Sequence, residues 1–356
     1  MSSLRGQEKS KKLSNFCGLK NRGGNNEPES TDGRKMSSLA LNRYHVYGIT
    51  LASQLRHSLP EEQGKSDVVV QLTVARPHIF RNVADKLRPD GNDWMQQQLL
   101  ADHSLYMRWE NCLELLVSAD GKTVACGNLS NHPLEAFDAY LSNFAVSAAL
   151  LQQGEEPLHA TVVAKGDDAV GFIGASGRGK STLAAHFVAR GWDLVTDDML
   201  RVTFEGNKVV AHSGPHRLKL YKDSAERCLD SADCDGPFNP TCQELVNSLS
   251  NKLIFQLPNR TTITRTRHLF ALLRLDYLAN ETDSIGELVP VGGQEMFTTI
   301  LSSTMNSRYQ TRGRLQRQFQ FAERLVRSVP VYRLAYPRQY DAISDTVDKI
   351  CKLVTR

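Results

Sequence analysis

The sequence predicts an α/β protein, α+β when the whole chain is counted, with a phosphate-binding-loop core preceded by a smaller α+β domain. Three observations carry that prediction. Residues 169–173 form a short continuous apolar run, residues 174–181 are glycine-rich, and residues 182–188 resume an apolar helical pattern, which together read as strand, loop and helix. A second apolar strand, residues 192–196, ends in Asp197 and Asp198, 17 and 18 residues after Lys180. Upstream, residues 44–126 hold short β-rich runs separated by turn signals.

Taken in order, residues 1–38 read as a disordered basic tail, rich in Lys, Asn, Gly, Ser and Glu with little to bury. Met36-Ser37-Ser38-Leu39 repeats Met1-Ser2-Ser3-Leu4, which makes Met36 an alternative translation start. Residues 39–155 form the smaller domain. Its strands are expected at 44–51 and 67–74, with a hairpin from 113–117 through Asp120-Gly121 to 124–126. Residues 134–152 carry apolar side chains at helical spacing (Phe137, Tyr140, Leu141, Phe144, Ala145, Ala148, Leu151) and are closed by Gly154. Trp94, His103 and Trp109 read as core or rim residues.

Residues 156–356 form the core domain. A strand at 161–163 is placed beside the loop-bearing strand, a hairpin turns around Glu205-Gly206-Asn207, a strand is read in the alternating stretch 214–223, and further strands follow at 252–258 and 268–275. Residues 224–250 are polar and 230–240 loop-like. Residues 294–329 are helical by periodicity, with Arg308, Arg312, Arg314 and Arg317 on an exposed basic face. A last strand at 329–334 and a closing helix at 343–354 complete the chain.

At 356 residues, 40% hydrophobic and 23% charged, the composition is that of a soluble globular protein with room for two domains. No run of about eighteen apolar residues exists, so no membrane partner is expected. The net charge of +4 sits in residues 1–35, where eight basic residues face four acidic ones; the remaining 35 and 35 balance. A nucleic-acid platform is therefore not expected. Seven scattered cysteines, none in a C-x-x-C pair, exclude a disulfide framework and fit a reducing cytoplasm. A homo-oligomer is compatible with this composition.

Gly174, Gly179, Lys180 and Ser181 satisfy G-x-x-x-x-G-K-[S/T] without a mismatch. Glycines let the backbone wrap an anion at φ values closed to other residues, and the following helix adds its positive end. Gly174, Ala175, Ser176, Gly177, Arg178, Gly179, Lys180, Ser181 and Thr182 are the candidate phosphate-binding residues, with Lys180 on the β- and γ-phosphates and the Ser181 hydroxyl on Mg²⁺. Asp197 and Asp198 are candidate metal ligands and proton acceptors. Adjacent strand residues point to opposite faces, which leaves open which is the base. His159, fifteen residues before Gly174, precedes the 161–163 strand. Arg217 and Lys219 share one strand face, either as a phosphate clamp or as a solvated face.

His159, the loop, the short interval to Asp197-Asp198 and the later strands resemble the HPr kinase/phosphorylase superfamily, whose core is related to ATP-dependent phosphoenolpyruvate carboxykinase. Residues 158–160 and 329–334 look especially like the HPr-kinase-related enzymes of peptide natural-product clusters, including lasso-peptide precursor kinases. The resemblance implies ATP and Mg²⁺ as cofactors, Asp198 as proton acceptor for a seryl hydroxyl, Asp197 in support of it or the metal, His159 as a second catalytic residue and Arg217 as a substrate clamp. The family's Glu-Leu-Arg-Gly-type signature is absent; residues 215–219 read Pro-His-Arg-Leu-Lys. The resemblance thus implies transfer to a serine of a peptide or small protein other than HPr. The alternatives are a small-molecule kinase on the same core and a non-catalytic nucleotide-binding module.

Overall fold

The first sheet is built from residues 42–128 and has the order β1-β2-β3-β7-β6-β5-β4. Its strands are β1 (Asn42–Val46), β2 (Ile49–Ser53), β3 (Val69–Val74), β4 (Met95–Leu99), β5 (Leu105–Trp109), β6 (Leu113–Val117) and β7 (Thr123–Asn128). Helix α1 (Pro77–Ala84) follows β3, and α2 (Leu134–Gln152) packs on β6 and β7. The computed structural model describes residues 41–62, 66–84, 95–109, 112–128, 134–230, 243–244, 252–257, 265–278 and 288–354. The expected tail, the Met36 reading, Trp94 and the 230–240 loop beyond Asp230 lie outside them.

The sequence shows one strand at 44–51, whereas the chain turns at Tyr47-Gly48 and splits it into β1 and β2. Both turn residues take positive φ, 54° and 68°. Strand β4 was not legible because Gln96, Gln97 and Gln98 interrupt its apolar pattern, and β5 was not read as a strand either; Trp109 at the end of β5 is a core residue, its ring 4.5 Å from that of Phe144 on α2. His103 is an exposed turn residue at φ 64°.

The second sheet has the order β10-β8-β9-β16-β12-β11, with β18 also on β16 and β17 on β18. Its members are β8 (Thr161–Lys165), β9 (Asp168–Ile173), β10 (Asp193–Thr196), β11 (Val202–Glu205), β12 (Lys208–Ala211), β16 (Arg267–Tyr277), β17 (Val289–Val291) and β18 (Val331–Tyr336). A third, small sheet has β15 (Lys252–Gln256) between β13 (Arg217–Tyr221) and β14 (Gln243–Glu244). Residues from Ala40 to Arg356, which hold all three sheets, group into one compact unit.

Period-two alternation sorts the second sheet's side chains into two cores. Val170 and Phe172 of β9 join Leu273 and Leu275 of β16 beneath α3 (Lys180–Ala189) and α7 (Asp341–Val354). Ala169 and Ile173 join Leu272 beneath α5 (Gly293–Ser303) and α6 (Arg312–Ser328). Phe172 and Phe187, both fully buried with ring centroids 5.7 Å apart, tie β9 to α3. Truncating either to Ala would cost about 3–5 kcal/mol.

Two expectations are corrected here. The helical stretch 294–329 is two helices broken at 304–311. Helix α4 (Lys222–Asp230), for which no element was read, runs into the segment read as polar. Arg314 is not on an exposed basic face: it is fully buried, paired with Glu156 at 3.1 Å and donating to the carbonyls of Met305 and Tyr309. The three carbonyls it serves, with that of Asn306, lie in the α5–α6 break, so the guanidinium binds backbone acceptors that no helix ladder holds. Among the described residues no helix is long and apolar enough to cross a membrane.

The Tyr47-Gly48 turn is a joint between the first two sheets. Arg201 donates to the carbonyls of Tyr47 and Gly48 at 3.0 and 3.3 Å, and a Cβ at Gly48 would lie 2.1 Å from His212 Nδ1. The His212 ring is 2.8 Å from Thr203 through Nε2, while its buried Nδ1 has no partner. Burial, then Arg201 and His45, push His212 down to about 3 from an ordinary 6.5. Between those values the unfolded chain binds the proton and the folded one does not, so stability falls on acidification through that window. We expect His212→Gln to lose less melting temperature than wild type between about pH 7 and about pH 4. Parallel slopes in thermal melts would show that His212 is not the responsible group.

Candidate active site

Strands β9, β16 and β18 run parallel, so Ile173, Tyr277 and Tyr336 emerge together at one edge of the sheet. The chain leaves β9 into the loop 174–179 and re-enters as α3. Gly174, Gly177 and Gly179 take φ values of 133°, 81° and 81°, a region L side chains rarely adopt. Gly179 is the N-cap of α3 and supplies no side-chain cap, so the first-turn amides of α3 have no cap partner and form an anion-binding end.

Two tyrosines hold this loop from the sheet side. Tyr277 donates its hydroxyl to Gly177 O at 2.8 Å, and Tyr336 donates to Arg178 O at 2.7 Å. The fit is tight, since a Cβ at Gly179 would come within 2.2 Å of the Tyr336 hydroxyl. Burial raises the Tyr336 hydroxyl far above its ordinary value, keeping it a donor. Arg178 turns out of the loop to lie over the Tyr277 ring, 5.4 Å from its centroid.

The loop opens into a cavity of about 920 Å³. Ser176, Gly177, Gly179, Lys180, Ser181 and Thr182 of the loop and α3 line it, together with His159, Asp198 and Lys219. The ammonium of Lys180 donates to the loop carbonyls of Gly174 and Ala175 at 2.8 and 3.2 Å. Burial lowers its pKa, an effect the neighbouring carboxylates of Asp198 and Asp197 oppose. Thr182 reaches Ser224 on α4 at 3.3 Å, and Ser224 in turn is 2.9 Å from the Tyr340 hydroxyl.

Asp197 and Asp198 follow β10, but β10 is the sheet's outer strand and β8 lies between it and β9. The acidic pair therefore reaches the loop across β8. Asp197, buried, accepts from the hydroxyls of Thr161 on β8 (2.7 Å) and Ser181 on α3 (2.9 Å) and from the backbone N–H of Lys219 (2.9 Å). Asp198 takes a left-handed φ of 71°, uncommon outside glycine, and pairs with the ammonium of Lys219. Burial and the charge of Asp198 raise Asp197. Burial also works to raise Asp198, but Lys219 and Lys252 outweigh it and hold its carboxyl well below the usual range. His159 is pushed down to about 4, by burial first and then by Lys180, so its ring is neutral near pH 7.

Arg217 is not brought to this cavity. Although β13 presents it on the same face as Lys219, its guanidinium is buried against α2, bonded to Asp138 (3.2 Å), Ala139 O (3.3 Å) and Ser142. Lys219 occupies the place expected of Arg217. The sequence reading also missed Lys252, whose ammonium lies 5.1 Å from the Tyr221 ring, and the tyrosines 277, 336 and 340. No local signal marked Tyr277 and Tyr336, which stand at the ends of strands that run parallel to the loop-bearing strand only in the folded sheet.

The donor set for a divalent cation is the Ser181 hydroxyl and the Asp197 carboxylate, hard oxygens 2.9 Å apart. Among the described residues no group of three or more His, Cys, Asp or Glu converges as a metal site. Those residues therefore fit Mg²⁺ that keeps waters and takes phosphate oxygens, not an all-protein cage.

No protein-family model matches the chain, and no curated protein matches it. Among solved structures it is similar to the Hpr(Ser) kinase/phosphatase from Coxiella burnetii, at 10% sequence identity over 56% of this chain and 90% of that chain, with a TM-score of 0.31.

The loop clamp is testable without a ligand. Gly177 and Gly179 share φ 81°, but a Cβ at Gly177 meets nothing within 4 Å. Gly177→Ala should cost only backbone strain of about 1–2 kcal/mol, and Gly179→Ala distinctly more. Tyr336→Phe in the Gly179→Ala background should narrow that gap in thermal melts; equal costs at the two glycines would exclude the clamp.

Proposed function

We propose that this protein is an ATP- and Mg²⁺-dependent phosphotransferase that moves the γ-phosphoryl group to a hydroxyl, a serine of a peptide or small protein. The observation that carries the reading is the bridge from loop to acidic pair: Ser181 on α3 is hydrogen-bonded to Asp197, while Asp198 next to it faces the same cavity as Lys180. A glycine loop built only to bind nucleotide needs no second carboxylate there.

Bound Mg²⁺ would neutralise phosphate charge, held by Ser181 and Asp197. Lys180 exchanges its loop carbonyls for the β- and γ-phosphates, and the α3 amides take phosphate oxygens. Asp198 accepts the hydroxyl proton. A carboxylate held below its usual range is a weak base, and that is adequate where proton transfer comes late in a loose transition state. Lys219, now on Asp198, and the neutral ring of His159 line the same cavity and would stabilise charge that develops on the transferred group. The cavity is near the top of the range for ligand sites, about 300–1,000 Å³, which leaves room for an acceptor side chain beside a nucleotide.

The test is transfer from labelled ATP to candidate peptides with Mg²⁺ present. Lys180→Ala and Asp198→Asn should each lower turnover by about 10²-fold or more. Lys180→Ala should also weaken ATP binding, whereas Asp198→Asn should leave it close to wild type. If wild type binds Mg²⁺–ATP yet labels no acceptor and hydrolyses no ATP above the Lys180→Ala background, the assignment fails.

A further inference from the structure

Behind β13, outside the cavity, a buried polar chain runs from the first sheet to Arg217 on β13. Ser53 Oγ is 2.8 Å from His57 Nε2, His57 Nδ1 meets Asp138 Oδ1, and Asp138 Oδ2 accepts from Arg217 at 3.2 Å. Ser53, His57 and Asp138 have the connectivity of a hydrolytic triad. Yet Ser53 is 0% exposed and its Oγ also accepts the Leu55 N–H at 3.0 Å, so no substrate reaches it. The chain's free end is Arg217, and what Arg217 controls is β13.

Among the described residues, strand β13 is the outer strand of its sheet and pairs with β15. Its unpaired edge carries the Lys219 N–H that bonds Asp197 Oδ2, and the Lys219 side chain holds Asp198. An edge strand has no second ladder to fix its position along its own axis. Arg217, the first residue of β13, supplies that fix through three bonds to α2, at Asp138, Ala139 O and Ser142. Helix α2 is itself packed on β6 and β7. Asp138 is 3% exposed and Arg217 likewise, so removing either charge strands the other in a low-dielectric site.

We propose that Asp138, seated by His57, is a positioning residue: through Arg217 it fixes β13 so that Lys219 presents its N–H to Asp197 and its ammonium to Asp198. The first sheet is then a brace for the phosphoryl site. The structural half stands without the kinase reading; the catalytic consequence rests on that reading.

The experiment has one arm for each half. In nucleotide-free protein, Asp138→Asn should speed hydrogen exchange at the Lys219 amide by about tenfold while the Phe255 and Ile254 amides of β15 change less. In binding measurements with ATP, the same variant should leave affinity without Mg²⁺ unchanged and lose about tenfold of the tightening that Mg²⁺ adds. Because a single buried-charge deletion can unfold the protein, the second variant is His57→Phe, Asp138→Leu, Arg217→Met combined, which replaces the network by apolar side chains. It should regain most of the melting temperature while keeping the fast Lys219 exchange and the lost Mg²⁺ effect. Wild-type exchange at Lys219 in Asp138→Asn, or recovery of both readouts along with stability in the triple variant, would reduce the network to ordinary packing and overturn the proposal. If wild type shows no Mg²⁺ effect on ATP, the kinase reading falls and the exchange arm alone decides the brace.

Discussion

The site depends on one buried carboxylate that has to be satisfied from three directions. Asp197 lies in the interior, where an unpartnered charge costs several kcal/mol, about the whole stability margin of many domains. Its partners come from β8, α3 and β13, so the requirement to satisfy one side chain forces three separate elements into register. The β10–β8 pairing slips between Leu194 and Thr196, and the acidic pair directly follows that irregularity. Asp198 then takes a positive φ and faces the cavity, which separates it from the buried Asp197 that binds three neighbouring elements. That separation divides the work between two adjacent aspartates.

The loop obeys a second constraint. A run of glycines has no side chains with which to hold its own shape, so its conformation is imposed from outside. Tyr277 and Tyr336 do this by capping two loop carbonyls, and their position follows from topology: they end the two strands that continue the parallel set begun by β9. The rings are in edge contact, 5.4 Å between centroids, so each orients the other. Loop geometry therefore rests on strand length in β16 and β18, both far beyond the motif in sequence.

How much of this was legible follows the range of each interaction. The strand, loop and helix at 169–189 and the acidic pair could be read because their chemistry is local: glycine freedom, helix ends and period-two burial act within a few residues. The same holds for the β6–β7 hairpin and for α2. What could not be read were long-range partners. Arg217 and Lys219 look equivalent in sequence, both cations on one face of a strand. Their different fates are decided by Asp138, 79 positions earlier, and by Asp198, neither of which any pattern in residues 215–221 encodes. Arg314 fails in the same way, since helical spacing put it on a basic face and Glu156 draws it inside. A buried cation is invisible to hydropathy because it is its partner that makes burial tolerable.

That asymmetry accounts for the large share of buried charge around the site. Arg201, Arg217, Arg267 and Arg314 are all buried, and each meets a carboxylate: Glu155, Asp138, Asp193 and Glu156 respectively. Apolar replacements would give comparable or greater stability at such positions, so stability alone does not explain them. What an ion pair adds is direction, because a fork of N–H donors accepts only certain placements of its partner. Arg201 fixes the Tyr47-Gly48 turn to the second sheet, Arg217 ties β13 to α2, and Arg314 closes the break between α5 and α6, where Ser303 accepts the His159 amide. Each pair sits at a joint between elements that lead to His159, Asp198 or Lys219. The buried arginines thus serve as registration points, and the cavity's charged residues keep their spacing because the elements that carry them cannot slide.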